Sequence, residues 1–350
     1  MAAETGEFPR AGRPGRRPVL SDVARLAGTS TAVVSYVVND GPRPVAEKTR
    51  RKVEDAIRML GYRRNPLAGA LSGGRSNLVG VLVPDTANAF FGEMSRCLEA
   101  EGRRRGLLTL LGNTGYRPGL ADEYGEAFSE LRPRGIFVTT GEKPRLAAET
   151  PCVFLQWTAP DDSPSVVFDD FAGARRVTEH LLGHGYEDIW CVAGEIAVGP
   201  AEGREGGWRR AMADAGLPAE GRLVRTSFDK VEAGRAVREV LTSGRPIRAV
   251  YATTDEQALV TIRIAHSLGL RVPEDLAVVG FDGTREARLG DVPLTTVRLP
   301  LEEFAVRAFD ALDGRGDSAV LDGTLSIGVT CGCEPGSAEP AVPAGAAASG

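Results

Sequence analysis

The stretch LSDVARLAGTSTAVVSYVV, residues 20–38, decides how the chain reads. Ser21 to Ala27 is a short amphipathic run with Asp22 in its first turn, where a negative charge suits the helix dipole. Gly28 ends it, and after Thr29 the hydroxyl of Ser30 is placed to cap a second helix over Thr31 to Val38. Within that helix Val34 and Val37 or Val38 face inward, which leaves Thr31, Ala32, Ser35 and Tyr36 outward. Helix, glycine turn and helix at this spacing is the helix-turn-helix pattern. A third helix, from about Ala46 to Leu60, sets Val53, Ala56, Ile57 and Leu60 on one stripe and Lys48, Arg50, Arg51, Lys52 and Arg58 on the rest. That stripe closes a small core that the first two helices lack on their own. On periodicity alone, a surface αα-hairpin with solvated charges is the plainer reading.

Charge is distributed unevenly. Residues 1–80 hold fourteen Arg and Lys against seven Asp and Glu, a net +7 that leaves −12 for the remainder of a chain whose formal charge is −5. A basic head on an acidic body confines phosphate contact to the head. At 350 residues the chain has room for a small head and a body of two subdomains. No apolar stretch approaches a membrane span and the N-terminus has no apolar signal core, so no membrane partner and a cytoplasmic, nucleoid-associated location are expected. The five cysteines form no Cys-x-x-Cys pair and read as reduced thiols, with Cys331-Gly332-Cys333 the one pair that merits a redox test.

From Leu78 onward, apolar runs alternate with helical patterns, as parallel strands with crossover helices require. The runs are Leu78 to Val83, Leu107 to Leu111, Ile136 to Thr139, Cys152 to Leu155, Val166 to Phe168, Ile189 to Ala193, Ala249 to Ala252 and Ala277 to Phe281. Such sheets bind ligands beyond the carboxyl ends of their strands, so the segments just after these runs are where a site is sought.

A family pattern extends the reading of the head. Asp22-Val23-Ala24, Ala27-Gly28, Ser30, Val34-Ser35, Asn39, Thr49-Arg50, Leu60-Gly61-Tyr62, Asn65, Ala68 and Leu71 fall at the spacing of the DNA-binding domain of the lactose and galactose repressor family, which the chain resembles to about Cys333. Later matching pieces include Val83-Pro84-Asp85, Asp169-Asp170-Phe171-Ala172-Gly173, Gly207-Trp208, Val278-Val279-Gly280-Phe281-Asp282 and Pro293-Leu294-Thr295-Thr296-Val297. The resemblance implies an all-α helix-turn-helix head on an α/β two-lobed body like the type I periplasmic binding proteins. It implies a disordered arm over 1–17, a DNA-binding domain over 18–62, a hinge over 63–77, an effector-binding and dimerisation body over 78–334, and a disordered tail over 335–350. The chain should cross between lobes near 163, 293 and 319.

By the same resemblance, Ser30, Thr31, Ala32, Ser35, Tyr36 and Asn39 contact operator DNA, and Asn65, Ala68 and Leu71 belong to a hinge helix that enters the minor groove. Asn88, Phe90, Phe91, Arg204 and Asp282 are the implied effector contacts, aromatic faces with an Arg and an Asp that suit a polyol. Gln156 and Thr254 hold two further cleft positions, where the family commonly carries Asp and Asn. The implied partners are double-stranded operator DNA, a sugar or nucleoside effector, and a second copy of the chain in a homodimer. A ligand-responsive transcriptional regulator, a repressor, is the function expected. A soluble sugar-binding or transport component and an α/β enzyme on the same lobes are the competing readings.

Other motifs carry less. Gly314-Arg315-Gly316-Asp317-Ser318-Ala319 has the letters of a dinucleotide fingerprint but follows a helical stretch instead of a strand. His180 and His184 stand four apart on a helix, but without a third ligand nearby in sequence the reading is of interior or turn roles and no metal. No nucleophile, base and orienting acid form a set, so no catalytic residue and no cofactor is expected. Where many family members place an Arg able to grip guanine, this chain has Tyr36. Tyr36→Ala should therefore weaken binding to the cognate operator by roughly 1 to 3 kcal/mol and leave random DNA nearly unaffected; equal losses on both, measured by fluorescence anisotropy, would show that Tyr36 reads no base.

Overall fold

The computed structural model describes residues 18–38, 44–62, 75–117, 119–195, 198–227 and 229–333. Asn39, Asn65, Ala68 and Leu71, the expected arm, most of the expected hinge and the whole of the expected tail lie outside the described residues. The chain divides into two compact units at Gly74/Arg75.

The first unit has helices Leu20–Ala27, Thr31–Val38 and Glu47–Leu60. Gly28 and Gly61 end the first and third in the left-handed region, at φ 64° and 61°, where their N–H groups turn back on the last-turn carbonyls. The Ser30 hydroxyl accepts from the Val33 N–H at 3.3 Å, the cap the sequence calls for. Val23, Val34 and Val53 are fully buried, and Ala24, Ala27, Val37 and Ala56 complete the core, with Val38, Ile57, Leu60 and Tyr62 around it. Thr31 and Ala32 are exposed, and Ser35 and Tyr36 half-buried, so the outward face of the second helix is as read.

The second unit contains two six-stranded sheets. In the first, β1 (Leu78–Val83), β2 (Leu108–Asn113), β3 (Ile136–Val138), β4 (Cys152–Leu155), β5 (Ser165–Phe168) and β11 (Ala319–Leu321) run in the order β11-β5-β4-β3-β1-β2, all parallel. In the second, β6 (Ile189–Gly194), β7 (Leu223–Thr226), β8 (Ala249–Ala252), β9 (Ala277–Asp282), β10 (Thr295–Arg298) and β12 (Thr324–Ser326) run in the order β12-β10-β9-β8-β6-β7, and only β12 is antiparallel. Helices cover the faces, so the central strands are apolar up to their carboxyl ends, where β9 closes on Asp282. In the first lobe Phe309 meets Phe137 edge-on at 4.9 Å, and Phe304 stacks on Phe168 at 4.5 Å.

The crossings between lobes fall further along the chain than the resemblance implied. The first is at Asp169, between β5 and the helix Asp170–Gly183; the second is at Leu299 and Pro300, between β10 and the helix Leu301–Leu312; the third is at Asp322 and Gly323, between β11 and β12. Residues 163, 293 and 319 lie instead before β5, before β10 and at the start of β11. The reason is that β10 to β12 are short, and β10 carries Thr295 and Thr296 where an aliphatic run would have announced a strand. The first and third crossings are hydrogen-bonded neighbours, Asp169 N donating to Leu321 O at 2.9 Å.

Helices Asp170–Gly183 and Pro200–Asp214 approach each other over a glycine face. A Cβ at Gly203 would stand 3.1 Å from the Asp170 Cβ, and one at Gly207 would strike the Phe171 carbonyl and lie 2.8 Å from both the Ala174 Cβ and the Arg175 N. The neighbouring Trp208 is fully buried, its indole N–H directed at the Ile189 carbonyl at 3.3 Å. Gly207→Ala is expected to destabilise the body by about 1 to 3 kcal/mol, the usual cost of overpacking. Gly92→Ala, in a helix where a Cβ meets nothing closer than 3.7 Å, should stabilise by up to about 1 kcal/mol; urea unfolding of the two variants checks the contrast.

Candidate functional site

A cleft of about 1130 Å³ opens between the lobes, lined by the segments that follow the strands at their carboxyl ends. After β1 come Asp85 and Asn88, after β2 Tyr116 and Arg117, after β3 Thr139 to Lys143, and after β4 Gln156 and Trp157. The second lobe supplies Glu195 after β6, Asp229 and Lys230 after β7, Thr253, Thr254 and Glu256 after β8, and Asp282 at the end of β9. Tyr116, Gln156 and Asp282 all hold positive φ, at 55°, 66° and 113°, and among the described residues Arg132 is the one other non-glycine that does. Backbone strain of this kind collects where a side chain must be presented in a fixed direction.

Arg204 is the floor of the cleft. The glycine face that draws its helix against Asp170–Gly183 brings it to Asp170, whose carboxylate accepts from Nε at 2.8 Å. Nη1 donates to the Asp282 carboxylate and to the Thr253 carbonyl, each at 2.8 Å. Its guanidinium lies 4.1 Å from the centroid of the Phe281 ring. All three charged groups are buried. Burial pushes the Asp170 and Asp282 carboxyls above their ordinary range, opposed by the attraction of Arg204. The two acids flanking Arg204 raise its own pKa further despite its burial.

Behind this triad stands Asp255, at 1% exposure. One carboxylate oxygen accepts from the Thr296 hydroxyl at 2.5 Å, the other from the Thr284 N–H at 2.6 Å and the Thr284 hydroxyl at 3.0 Å. Gly280 admits it, since a Cβ there would lie 2.6 Å from the same carboxylate. Burial and the neighbouring Asp282 drive its carboxyl up to about 8.

The lobes touch across the mouth of the cleft. Asn88 Nδ2 donates to Glu256 Oε2 at 3.0 Å, and Lys230 Nζ stands 2.9 Å from the other oxygen of the same carboxylate. The ring of Trp157 closes on Gly141 of the first lobe and on Gly199 of the second, so that a Cβ at either would collide with it.

All seven expected effector residues line the cleft, but not in equal ways. Phe91 is half-buried and faces it, whereas Phe90 is 3% exposed and belongs to the first lobe's core. Asn88 caps its helix through Oδ1, accepting from Phe90 N at 2.9 Å, while its amide nitrogen is held by Glu256. Thr254 caps the helix Asp255–Ser267 through its hydroxyl, and Gln156 is buried at the cleft wall. Sequence reasoning passed over Asp170, which reads as a second acid beside the capping Asp169, over Asp255, which reads as a first-turn acid after the capping Thr254, and over Glu256 and Lys230, which look like solvated helix charges.

In the other unit, Ser30, Thr31 and Ala32 form an exposed row at the start of the second helix, with Ser35 and Tyr36 one turn on. Lys48, Arg51 and Lys52 are exposed on the third helix.

Residues 19–65 match the family described as bacterial regulatory proteins, lacI family, and residues 178–323 match a periplasmic binding protein-like domain. The chain is 31% identical over 298 residues to the HTH-type transcriptional regulator DegA of Bacillus subtilis (strain 168), covering 82% of this chain and 88% of that one. It is 32% identical over 303 residues to the ribose operon repressor of Escherichia coli (strain K12), covering 84% and 91%. The solved lac repressor dimer bound to operator and an anti-inducer matches 90% of this chain and 99% of its own, with a TM-score of 0.78 and 25% identity. A CelR–cellobiose complex matches 90% and 100%, with a TM-score of 0.65 and 26% identity.

The raised carboxyl of Asp255 makes a signed prediction. Between the unfolded carboxylate pKa near 4 and the folded value of about 8, the folded state binds more protons than the unfolded one. Stability therefore falls as pH rises through that window, with a slope of at most about 1.4 kcal/mol per pH unit. Asp255→Asn keeps the shape and is neutral at every pH, and its amide can donate to the Thr296 oxygen. The stability difference between variant and parent should thus shift in the variant's favour from pH 5 to pH 8.5; a constant difference in urea unfolding across that range would show that Asp255 is ionised throughout.

Proposed function

The chain belongs to the LacI family of bacterial regulatory proteins, and is thereby a ligand-responsive, DNA-binding transcriptional regulator; from that premise we propose that it is a repressor whose effector is a neutral polyol, a sugar or a nucleoside. The observation that carries the choice of effector is the make-up of the cleft. Acidic side chains outnumber basic ones on its lining, Asp85, Glu195, Asp229, Glu256 and Asp282 among them. The most buried cation, Arg204, is already neutralised by two carboxylates. A phosphate ester would meet net repulsion there, whereas hydroxyls can accept from the remaining amino group of Arg204 and donate to Asp282 while the ring lies on Phe91 or Trp157.

The head acts as one of a pair. A core of this size presents a small surface, and two heads carried by a body homodimer on a pseudo-palindromic operator raise affinity by effective concentration. Ser30, Thr31, Ala32, Ser35 and Tyr36 are the proposed base and phosphate contacts, joined by Asn39 and the hinge residues Asn65, Ala68 and Leu71. The protein works in the cytoplasm on the nucleoid, by binding and not by turnover. In support, the relatives are regulators, no Cys or His lines the cleft among the described residues, and the charged groups on its floor are committed to one another. No described helix is long and apolar enough to cross a membrane.

Trp157 is a built-in reporter, because Trp190 and Trp208 are buried away from the cleft. Neutral pentoses, hexoses and nucleosides, each beside its phosphate ester, are titrated against the full-length protein while fluorescence and operator affinity are followed. A neutral compound should change the emission, silenced in Trp157→Phe, and move operator affinity by about 5- to 150-fold, the usual span of allosteric coupling. Phe91→Ala should weaken that compound about tenfold, or ~1.4 kcal/mol, without changing operator affinity in its absence. Tighter binding of the phosphate esters would overturn the assignment.

A further inference from the structure

The second lobe brings together four side chains that lie in two distant parts of the chain. His180 is in the last turn of the helix Asp170–Gly183, and His184 is the residue that caps it. Four residues apart, they share one face of the helix, with ring centroids 4.8 Å apart and edge to face. Beyond β12 the chain returns past β10 and lays Cys331-Gly332-Cys333 across this helix end. Its course there is fixed by the sheet: Val278 N donates to Thr330 O at 2.8 Å, and Thr295 N to Thr330 Oγ1 at 3.0 Å. Gly332 takes φ 98°, a conformation side chains rarely adopt, and so turns both flanking cysteines toward the histidines.

The donor atoms converge. His180 Nε2 stands 3.3 Å from Cys331 Sγ and 3.6 Å from Cys333 Sγ, and His184 Nε2 stands 3.1 Å from Cys333 Sγ. One ligand atom from each of the four residues falls within 4.8 Å of all the others. A tetrahedron with metal–sulfur bonds of about 2.3 Å and metal–nitrogen bonds of about 2.0 Å has nitrogen–sulfur edges of roughly 3.5 Å. The observed edges match that figure to within a few tenths of an ångström.

We propose that His180, His184, Cys331 and Cys333 bind a single zinc ion in a closed, four-ligand Cys2His2 site. Two thiolates and two imidazoles are a soft donor set that suits zinc and excludes magnesium and calcium. Four protein ligands fill the tetrahedron, so the ion is structural and leaves no position for substrate. Two thiolates balance its charge, and the carbonyl end of the helix favours a cation. The Thr295 hydroxyl, 3.0 Å from Cys331 Sγ, supplies the outer-shell hydrogen bond that orients a metal-bound sulfur. A disulfide between Cys331 and Cys333 accounts for neither imidazole and would close a ring across a single residue. Cys331 is buried while His184 is exposed, so an ion enters from one side without unfolding the lobe. The ion clasps the chain beyond the third crossing to the end of the helix whose other end carries Asp170.

The test uses reduced, chelator-treated full-length protein titrated with cobalt(II) alone and then zinc alone. Cobalt should give the strong visible bands of tetrahedral coordination and a thiolate charge-transfer band, both saturating at one ion per chain and bleached by zinc. Zinc should raise the melting temperature with the same stoichiometry. Cys333→Ser and His184→Ala, on the accessible side, should each weaken zinc by at least about 100-fold, beyond the usual loss from an outer-shell change, while His266→Ala leaves it unchanged. Absence of the thiolate–cobalt band in the parent overturns the site, whatever the variants do. Parent-like zinc affinity in the folded Cys333→Ser and His184→Ala variants overturns it as well.

Discussion

A guanidinium with almost no exposure is the constraint around which the body is arranged. Desolvating Arg204 is costly, and the cost is met only because Asp170, Asp282 and the Thr253 carbonyl surround it at hydrogen-bond distance and Phe281 lies beneath it. Those partners come from separate places: the helix just after the first crossing, the end of β9 and the end of β8. Each must therefore be held by something else. Gly203 and Gly207 let two helices approach closely enough for Arg204 to reach Asp170, and the positive φ of Asp282 turns its carboxylate inward. Removing one acid from such a cluster leaves a buried charge partly uncompensated, typically at 3 to 5 kcal/mol. Arg204 and Asp282 are thus walls of the cleft and supports of the second lobe at once.

The acids around Arg204 show which electrostatic effect prevails where. At Asp170 and Asp282 a cation is in contact, yet burial still lifts the carboxyls. At Asp255 there is no cation in contact, only hydroxyls and a backbone N–H, and burial lifts its carboxyl above that of Asp282, to about 8 against about 6. Three carboxyls against one guanidinium leave an excess of negative charge among buried groups. A proton on Asp255 relieves it.

Much of this was legible in the sequence where local chemistry speaks through short spacing. The head helices announced themselves through Gly28, Ser30, Gly61 and a valine and alanine stripe, and the central strands through aliphatic runs bounded by turn residues. The cleft positions followed from the family pattern and from the rule that such sheets bind beyond their carboxyl ends. What stayed hidden depends on distant partners. Asp170 reads as half of a capping doublet until Arg204 is brought to it across 34 residues. β10 conceals itself because its buried threonines are satisfied by Asp255 and Cys331, groups no local window contains. His180 and His184 look like two ligands short of a site, since the cysteines that face them are about 150 residues away. Phe90 and Phe91 carry the same letter, and only packing shows that of two rings at the cleft the first is buried in the core and the second half-buried against it.

The contrast between the floor and the mouth of the cleft indicates how it responds to a ligand. On the floor, charged hydrogen bonds are made within a buried cluster and are strong. At the mouth, the lobes are joined by two hydrogen bonds to carboxylates, from Asn88 to Glu256 and from the Arg285 N–H to Glu93 at 2.6 Å, and by the ring of Trp157 seated between two glycines. Each hydrogen bond to a charged group contributes about 1.5 to 3 kcal/mol, and solvent-facing Lys230 draws on the other oxygen of Glu256. The mouth is therefore the weaker of the two, and a ligand bridging Phe91, Trp157 and the Arg204 floor acts on it with comparable energy. Gly141 and Gly199 matter in the same way, because any larger residue there would prop the lobes apart by displacing Trp157. Closure is thus set by contacts that a small molecule can outweigh, while the cluster that reads the molecule stays fixed.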